Sequence, residues 1–139
     1  MICGAGLAAP QVHVSQQIVV FEVDQNPRYP DADQIPLTVL INPKITPLTL
    51  HTDEDWEGCL SVDGLRGKVT RPSLVRVQAL DRDGKAMDFE ATGLYAVCIQ
   101  HEMDHLIGKV FLDRMTNLST LTQLDEFTAY WHKEPTTVI

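Results

Sequence analysis

Residues 100–106 read Gln-His-Glu-Met-Asp-His-Leu, which sets His101 and His105 four apart with Glu102 between them. On an α-helix, positions i and i+4 lie one above the other on the same face. Two imidazoles so placed can grip one cation through their ring nitrogens. Glu102 sits about 100° round such a helix from His101, so it can stand beside the cation without binding it. A general base next to a metal site needs that arrangement. The competing reading is two packed or solvated histidines with an unrelated acid between them. It carries a cost, because unpartnered imidazoles on an apolar stripe lose about 2 kcal/mol or more each.

Two ligands do not make a tight site, since catalytic metal sites usually hold three protein ligands and keep one position open. Cys59, in Glu-Gly-Cys-Leu-Ser (57–61), is the candidate third ligand. Its thiolate would be a strong, soft donor, and Gly58 beside it permits an unusual backbone angle. A small buried hydrophobe is the other reading of the same residue. His13, His51 and His132 are isolated in sequence and read as surface residues. Cys98 shares the stripe of the two histidines but reads as a packing residue, and Cys3 is assigned no role.

These side chains need elements to position them. Gly-Ala-Gly-Leu-Ala-Ala-Pro-Gln (4–11) reads as a loop or irregular extended segment, punctuated by two glycines and a proline. Residues 17–23 are β-branched and aromatic, a buried strand. Three prolines make 25–36 an exposed loop, and 37–43 is a second strand stopped at Asn42-Pro43. Pro47 makes 44–56 an edge or bulged strand. Residues 65–72 and 73–81 are strands, and the Asp-Arg-Asp-Gly turn at 81–84 returns the chain into 85–91. The apolar period then changes to helical over 92–108, with Leu94, Cys98, His101 and His105 on one stripe and Ile99, Met103 and Leu106 on another. A helix apolar on two faces is buried. Thr92 can cap its start and Gly108 can end it in a left-handed conformation. A last helix is expected over about 118–133, from Leu118, Leu121, Leu124 and Phe127. Strands followed by a buried helix and a C-terminal helix give an α+β fold.

The bulk numbers bound the rest. A chain of 139 residues suits one domain, with 44% hydrophobic and 22% charged residues. A net charge of −8 with no dense Lys/Arg run disfavours nucleic acid and anionic membrane as partners. Three widely spaced cysteines point to a reducing compartment, the cytoplasm. No run approaches the ~20 apolar residues that span a bilayer.

Gly-Ala-Gly-Leu-Ala-Ala-Pro-Gln, Glu-Gly-Cys-Leu-Ser and Gln-His-Glu-Met-Asp-His-Leu, in this order, resemble the three signature segments of the peptide deformylases. The resemblance spans nearly the whole chain. It implies an α+β fold with the metal-binding helix packed inside antiparallel sheets, and Cys59, His101 and His105 as the ligands of one divalent ion. That ion is expected to be Fe²⁺, with Zn²⁺ or Ni²⁺ able to occupy the same site. The implied activity is removal of the formyl group from N-formylmethionyl peptides of nascent chains. Glu102 would be the general base, and the Gln11 side-chain amide and Leu60 backbone N–H the oxyanion donors. Gly6 would pair with the peptide as an added strand, and Arg66 would hold its far end. Glu57 and Arg71 read either as partners orienting the ligands or as solvated charge.

The family also implies a helix and connecting strand ahead of the glycine-rich segment, whereas Gly4 here follows only three residues. The expectation is one catalytic domain over 1–139 without that front element, with reduced stability, a mobile Gln11 and a monomer or weak self-association. Ribosome docking is a further expected partnership, and an organelle a second compartment if a leading segment is missing. Two other functions compete: a deformylase-like metal-binding protein with impaired turnover, and another metallohydrolase such as a peptidase.

Overall fold

The computed structural model describes residues 5–23 and 34–131, with the backbone of a short strand at 137–138. Among the described residues, one sheet runs β1–β2–β3–β6–β7 and is antiparallel throughout. Its strands are β1 (Gly6–Ala8), β2 (Ile18–Val23), β3 (Ile35–Pro47), β6 (Leu74–Leu80) and β7 (Ala86–Thr92). A second sheet runs β8–β5–β4–β9, from β4 (Thr52–Cys59), β5 (Val62–Pro72), β8 (Thr122–Gln123) and β9 (Thr137–Val138). Helix α1 spans Gly93–Leu106, and α2 spans Leu124–Tyr130. The α+β class read from the strand-then-helix order is the one observed.

Helix α1 lies on the first sheet. Ala96, Cys98 and Ile99 pack with Val19, Phe21, Leu40, Val75 and Val77 into one apolar cluster. A smaller cluster of Cys59, Val69 and Phe111 belongs to the second sheet. Cys98 is fully buried in the first cluster, a packing residue as expected. Gly108 ends the helix at φ +76, with its N–H on the His105 carbonyl and the Lys109 N–H on the Asp104 carbonyl. That pair of bonds satisfies carbonyls that the last turn would otherwise leave open. Thr92 makes no side-chain cap; Gly93, at φ +59, turns the chain into the helix instead.

Several segment boundaries differ from the sequence reading. The glycine-rich segment, whose Gly4 lies outside the described residues, is extended but regular at Gly6–Ala8, where it forms β1, and then makes a 3-10 turn, Ala9–Val12, entered through Pro10. Asn42-Pro43 does not stop a strand. β3 runs through it with a bulge between Ile41 and Lys44, where Asn42 takes φ +50. The bulge is affordable because β3 changes partner there, pairing β2 before it and β6 after it. Leu48 donates its N–H to the Leu74 carbonyl, so Pro47, one residue earlier, turns its missing donor away from β6 and past the end of β2. The last helix is shorter than 118–133. Thr122 and Gln123 pair with Arg66 and Leu65 as β8, and strand pairing there excludes helix. The expected loop at 25–36 falls largely outside the described residues, although Ile35 within it is a buried strand residue.

Candidate metal centre

The site forms where α1 passes the hairpin that joins β4 to β5. Cys59 is the last residue of β4 and pairs with Val62, leaving Leu60 and Ser61 as the turn. The turn aims the Cys59 thiol at the helix, with Sγ 3.4 Å from His105 Nε2. Helical spacing sets the two imidazoles edge to face, their ring centroids 5.0 Å apart. One donor atom from each of Cys59, His101 and His105 lies within 4.8 Å of the others, and all three residues are buried. The structure thus brings together the three residues that the sequence nominated as ligands.

Two observations show that these residues fit a metal ion. Ligand atoms about 2.3 Å (S) and 2.0 Å (N) from one ion at tetrahedral angles are about 3.5 Å apart, the spacing seen between Cys59 and His105. His101 Nε2 is buried without a hydrogen-bond partner among the described residues, while Nδ1 of the same ring lies 2.8 Å from Glu57 Oε1. A ring whose far nitrogen is held by a carboxylate presents its other nitrogen in a fixed direction. Charge prepares the sulfur ligand as well. Burial pushes the Cys59 thiol up, but the neighbouring His101 ring, the His105 ring and the Ser61 N–H outweigh it and hold the thiol at about 6. Burial opposes charge on His101, yet Cys59 and Glu57 more than offset it and raise the ring to about 9. The lowered thiol is a ready anionic ligand, whereas the His101 ring binds a cation only after giving up the proton that Cys59 and Glu57 otherwise hold on it.

Glu102 is fully buried, and neither carboxylate oxygen has a hydrogen-bond partner among the described residues. Burial dominates there and lifts its pKa to about 7, against the pull of His101 and His105. Gln11 reaches the site from the 3-10 turn. Its Oε1 accepts the Ala8 N–H at 2.9 Å, and its Nε2 donates to Ser61 Oγ at 2.9 Å, with Cys59 Sγ 3.9 Å away. The amide is tied at both ends, and its N–H₂ faces the cysteine. Leu60 sits in the turn beside Cys59, its side chain half exposed.

Gly6 and Gly58 have structural reasons that sequence alone did not supply. A Cβ on Gly6 would lie 2.8 Å from Phe21 Cδ1 and 3.0 Å from Glu102 Cγ, so glycine lets β1 close over the helix. Gly58 does not adopt a left-handed angle. Its bare Cα makes room for the Arg66 guanidinium, whose Nη1 would stand 2.6 Å from an added Cβ. Arg66 itself is buried and donates from Nη1 to the Leu65 carbonyl. His13 and His51 are exposed, and His132 and Cys3 lie outside the described residues.

Glu57 and Arg71 are not solvated charge. Arg71 Nε and Nη2 grip the two Glu57 oxygens at 2.7 and 3.0 Å in a buried fork. His101 and Arg71 hold the Glu57 carboxyl below its usual range despite its burial. Sequence reasoning missed two further members, Asp104 and Arg114. Asp104 accepts from Arg71 Nη1 at 3.1 Å and from Arg114 Nη2 at 2.8 Å. Asp104 follows His101 by three residues, a helical spacing that could have flagged it. No sequence signal marks Arg114.

An α+β frame that converges a thiol and two imidazoles beside a buried carboxylate defines a class: single-metal proteins built on a His-Glu-x-x-His helix. Comparison with known proteins narrows the class. The polypeptide deformylase family model matches residues 2–120. Peptide deformylase 1 of Nitrosomonas europaea is 53% identical over 115 residues, covering 83% of this chain and 65% of that protein. Peptide deformylase 2 of Pseudomonas syringae is 46% identical over 122 residues, covering 88% and 68%. The Met-Ala-Ser-bound class I type b enzyme of Acinetobacter baumannii superposes with a TM-score of 0.76 at 39% identity, covering 81% of this chain and 70% of that one. This chain belongs to the polypeptide deformylase family. It spans about two-thirds of the length of the curated relatives it matches.

Proposed function

We propose that the protein hydrolyses the N-formyl group of N-formylmethionyl peptides, releasing formate and a free amino terminus. The observation that carries the proposal is Glu102, a buried, unpartnered carboxylate with a pKa lifted to about 7, standing beside the Cys59–His101–His105 cluster. A divalent ion held by those three residues supplies Lewis acidity and an acidified water at neutral pH. Fe²⁺ is the ion we propose, with Zn²⁺ and Ni²⁺ as substitutes.

The chain's own residues then divide the work. Glu102 takes the proton of the attacking water on one carboxylate oxygen and delivers it to the departing amine. A pKa near neutrality suits both transfers, because the group is neither locked in its charged form nor reluctant to accept a proton. The Gln11 Nε2 hydrogens and the Leu60 backbone N–H are the donors proposed for the developing oxyanion, and one good donor is worth about 3–4 kcal/mol. The hold of Ala8 on Gln11 Oε1 supports that role by fixing which end of the amide faces the site. The substrate backbone would add to the free edge of β1 at Gly6, since β1 is the outermost strand of its sheet among the described residues. Arg66 would act at the peptide's far end through its backbone or carboxylate, and the nascent chain, ribosome docking and a cytoplasmic location complete the reading. No helix among the described residues is long and apolar enough to cross a membrane.

The test is formate release from a formyl-Met tripeptide, together with metal content, for the wild type and Glu102→Gln. The expected result is full metal content in both and a loss of about 10²–10⁴-fold in kcat for the variant. A variant that keeps its turnover would refute the role of Glu102. A metal-loaded wild type without turnover would make this a deformylase-like binding protein, and cleavage of unformylated peptides would make it a peptidase.

A further inference from the structure

An unbroken line of ion contacts runs from the protein surface to a candidate metal ligand. It begins at Arg114, the last residue of the 3-10 turn Phe111–Arg114, whose side chain is 38% exposed. Arg114 Nε and Nη2 donate to Asp104 Oδ1 at 3.1 and 2.8 Å. The other Asp104 oxygen accepts from Arg71 Nη1 at 3.1 Å. Arg71 forks onto Glu57, and Glu57 Oε1 meets His101 Nδ1 at 2.8 Å. Charge alternates along the line, and everything inward of Arg114 is buried.

We propose that Arg114 is a positioning residue for the metal centre, acting on His101 through Asp104, Arg71 and Glu57. The inference rests on the reading of Cys59, His101 and His105 as the ligand set. Its physical basis is the rigidity of the guanidinium. Arg71 spends Nε and Nη2 on Glu57 and Nη1 on Asp104, all in one plane. Asp104 divides its charge between two arginines. Without Arg114, the whole charge falls on the Nη1 end of Arg71 and draws the planar group toward Asp104. The group cannot bend, so the pull lengthens its two bonds to Glu57. Glu57 Oε1 serves Arg71 and His101 together, so a displaced carboxylate turns the His101 ring and moves Nε2 off its aim. A surface arginine thereby sets the direction of a ligand that it does not touch.

A purely structural role is the alternative, in which Arg114 only pins its turn, where Phe111 is a core residue of the second cluster. The experiment separates the two with Co²⁺ as the probe. Co²⁺ affinity and the visible ligand-field bands are measured for the wild type, Arg114→Ala and Arg114→Lys, and for Glu57→Gln with and without Arg114→Ala. Arg114→Ala should weaken Co²⁺ binding about 3–10-fold, less than the 10–100-fold typical for loss of a group touching the ligand itself. Its ligand-field bands should shift, and Arg114→Lys should recover part of both changes. Glu57→Gln cuts the line, so Arg114→Ala should have no further effect in that background. Binding within twofold of wild type, tighter binding, or an equal loss in the Glu57→Gln background overturns the proposal. Should Glu57→Gln fail to fold, the bands decide: unchanged bands in Arg114→Ala overturn it. A wild type with no thiolate-to-Co²⁺ absorption would instead refute the ligand set, a distinct result that removes the proposal with its premise.

Discussion

Gly6→Ala and Gly67→Ala form a matched pair whose outcomes should differ. Both glycines lie in strands, Gly6 in β1 and Gly67 in β5, and neither has a positive φ. Replacing a strand glycine by alanine lowers the entropy of the unfolded chain, a gain of about 0.5–1 kcal/mol that is common to both. The new methyl group meets different neighbours. At Gly6 it would lie 2.8 and 3.0 Å from two atoms of the Phe21 ring and 3.0 Å from Glu102 Cγ. Phe21 is fully buried and packed edge-on against Tyr95, so it cannot swing aside. Overpacking of this kind costs about 1–3 kcal/mol. At Gly67 the close atoms are Cε and Sδ of Met115, both at 2.7 Å. That side chain is half-buried and has three rotatable bonds, so it yields at little cost. The shared backbone gain cancels in the comparison, leaving Gly6→Ala about 1–3 kcal/mol less stable than Gly67→Ala. Urea unfolding followed by circular dichroism would place the two midpoints about 1 M apart for a typical slope. Equal midpoints would refute the claim that Gly6 is needed for closure of β1 over Phe21 and the helix.

Gly108→Ala should cost about 1 kcal/mol in the same assay, because φ +76 strains any Cβ although nothing lies within 4 Å of it. Phe127→Ala should cost about 3 kcal/mol and raise the solvent exposure of Trp56 fluorescence, since the two rings meet edge to face at 5.0 Å and Phe127 ties α2 to the second sheet. Glu57 has a folded pKa below its ordinary 4.5, so its contribution is fully present above that value and is lost as pH falls through the folded pKa. Urea midpoints measured from pH 7 down to pH 3 should therefore fall less steeply for Glu57→Gln than for the wild type.

The sequence made the chemistry more legible than the architecture. His101, Glu102 and His105 could be read because helical periodicity turns spacing into geometry, and Cys59 because a thiol beside glycine between strands is uncommon. Strand ends were less legible wherever tertiary pairing overrode a local signal. Asn42-Pro43 reads as a stop, yet β3 passes through it by changing partners. Leu118 and Leu121 fit a helical stripe, yet Thr122 and Gln123 are taken by β5. The reason for Gly6 was hidden because it lies in Phe21 and Glu102, 15 and 96 residues further along the chain. Arg114 was hidden for the same reason: an ion pair to a helix aspartate leaves no trace in local composition.

The placement of the charged residues carries its own argument. Glu57, Arg71, His101, Glu102 and Asp104 lie at the seam between the apolar cluster of the first sheet and that of the second. Stability does not account for them there. A buried ion chain must offset the desolvation of every member, and apolar residues of similar volume are often as stable or more so. What the ion chain supplies is direction. Glu57 engages the Nδ1 side of His101, which leaves Nε2 as the atom free to serve the Cys59–His101–His105 cluster. Glu102, by contrast, has no hydrogen-bond partner among the described residues, although a single N–H donor would lower the cost of burying it. A carboxylate so bonded would be held charged, with its pKa brought down and its lone pairs engaged. Burial without such a bond keeps it near neutrality, so the groups at the seam that should stay fixed are bonded and the one proposed to exchange a proton is not.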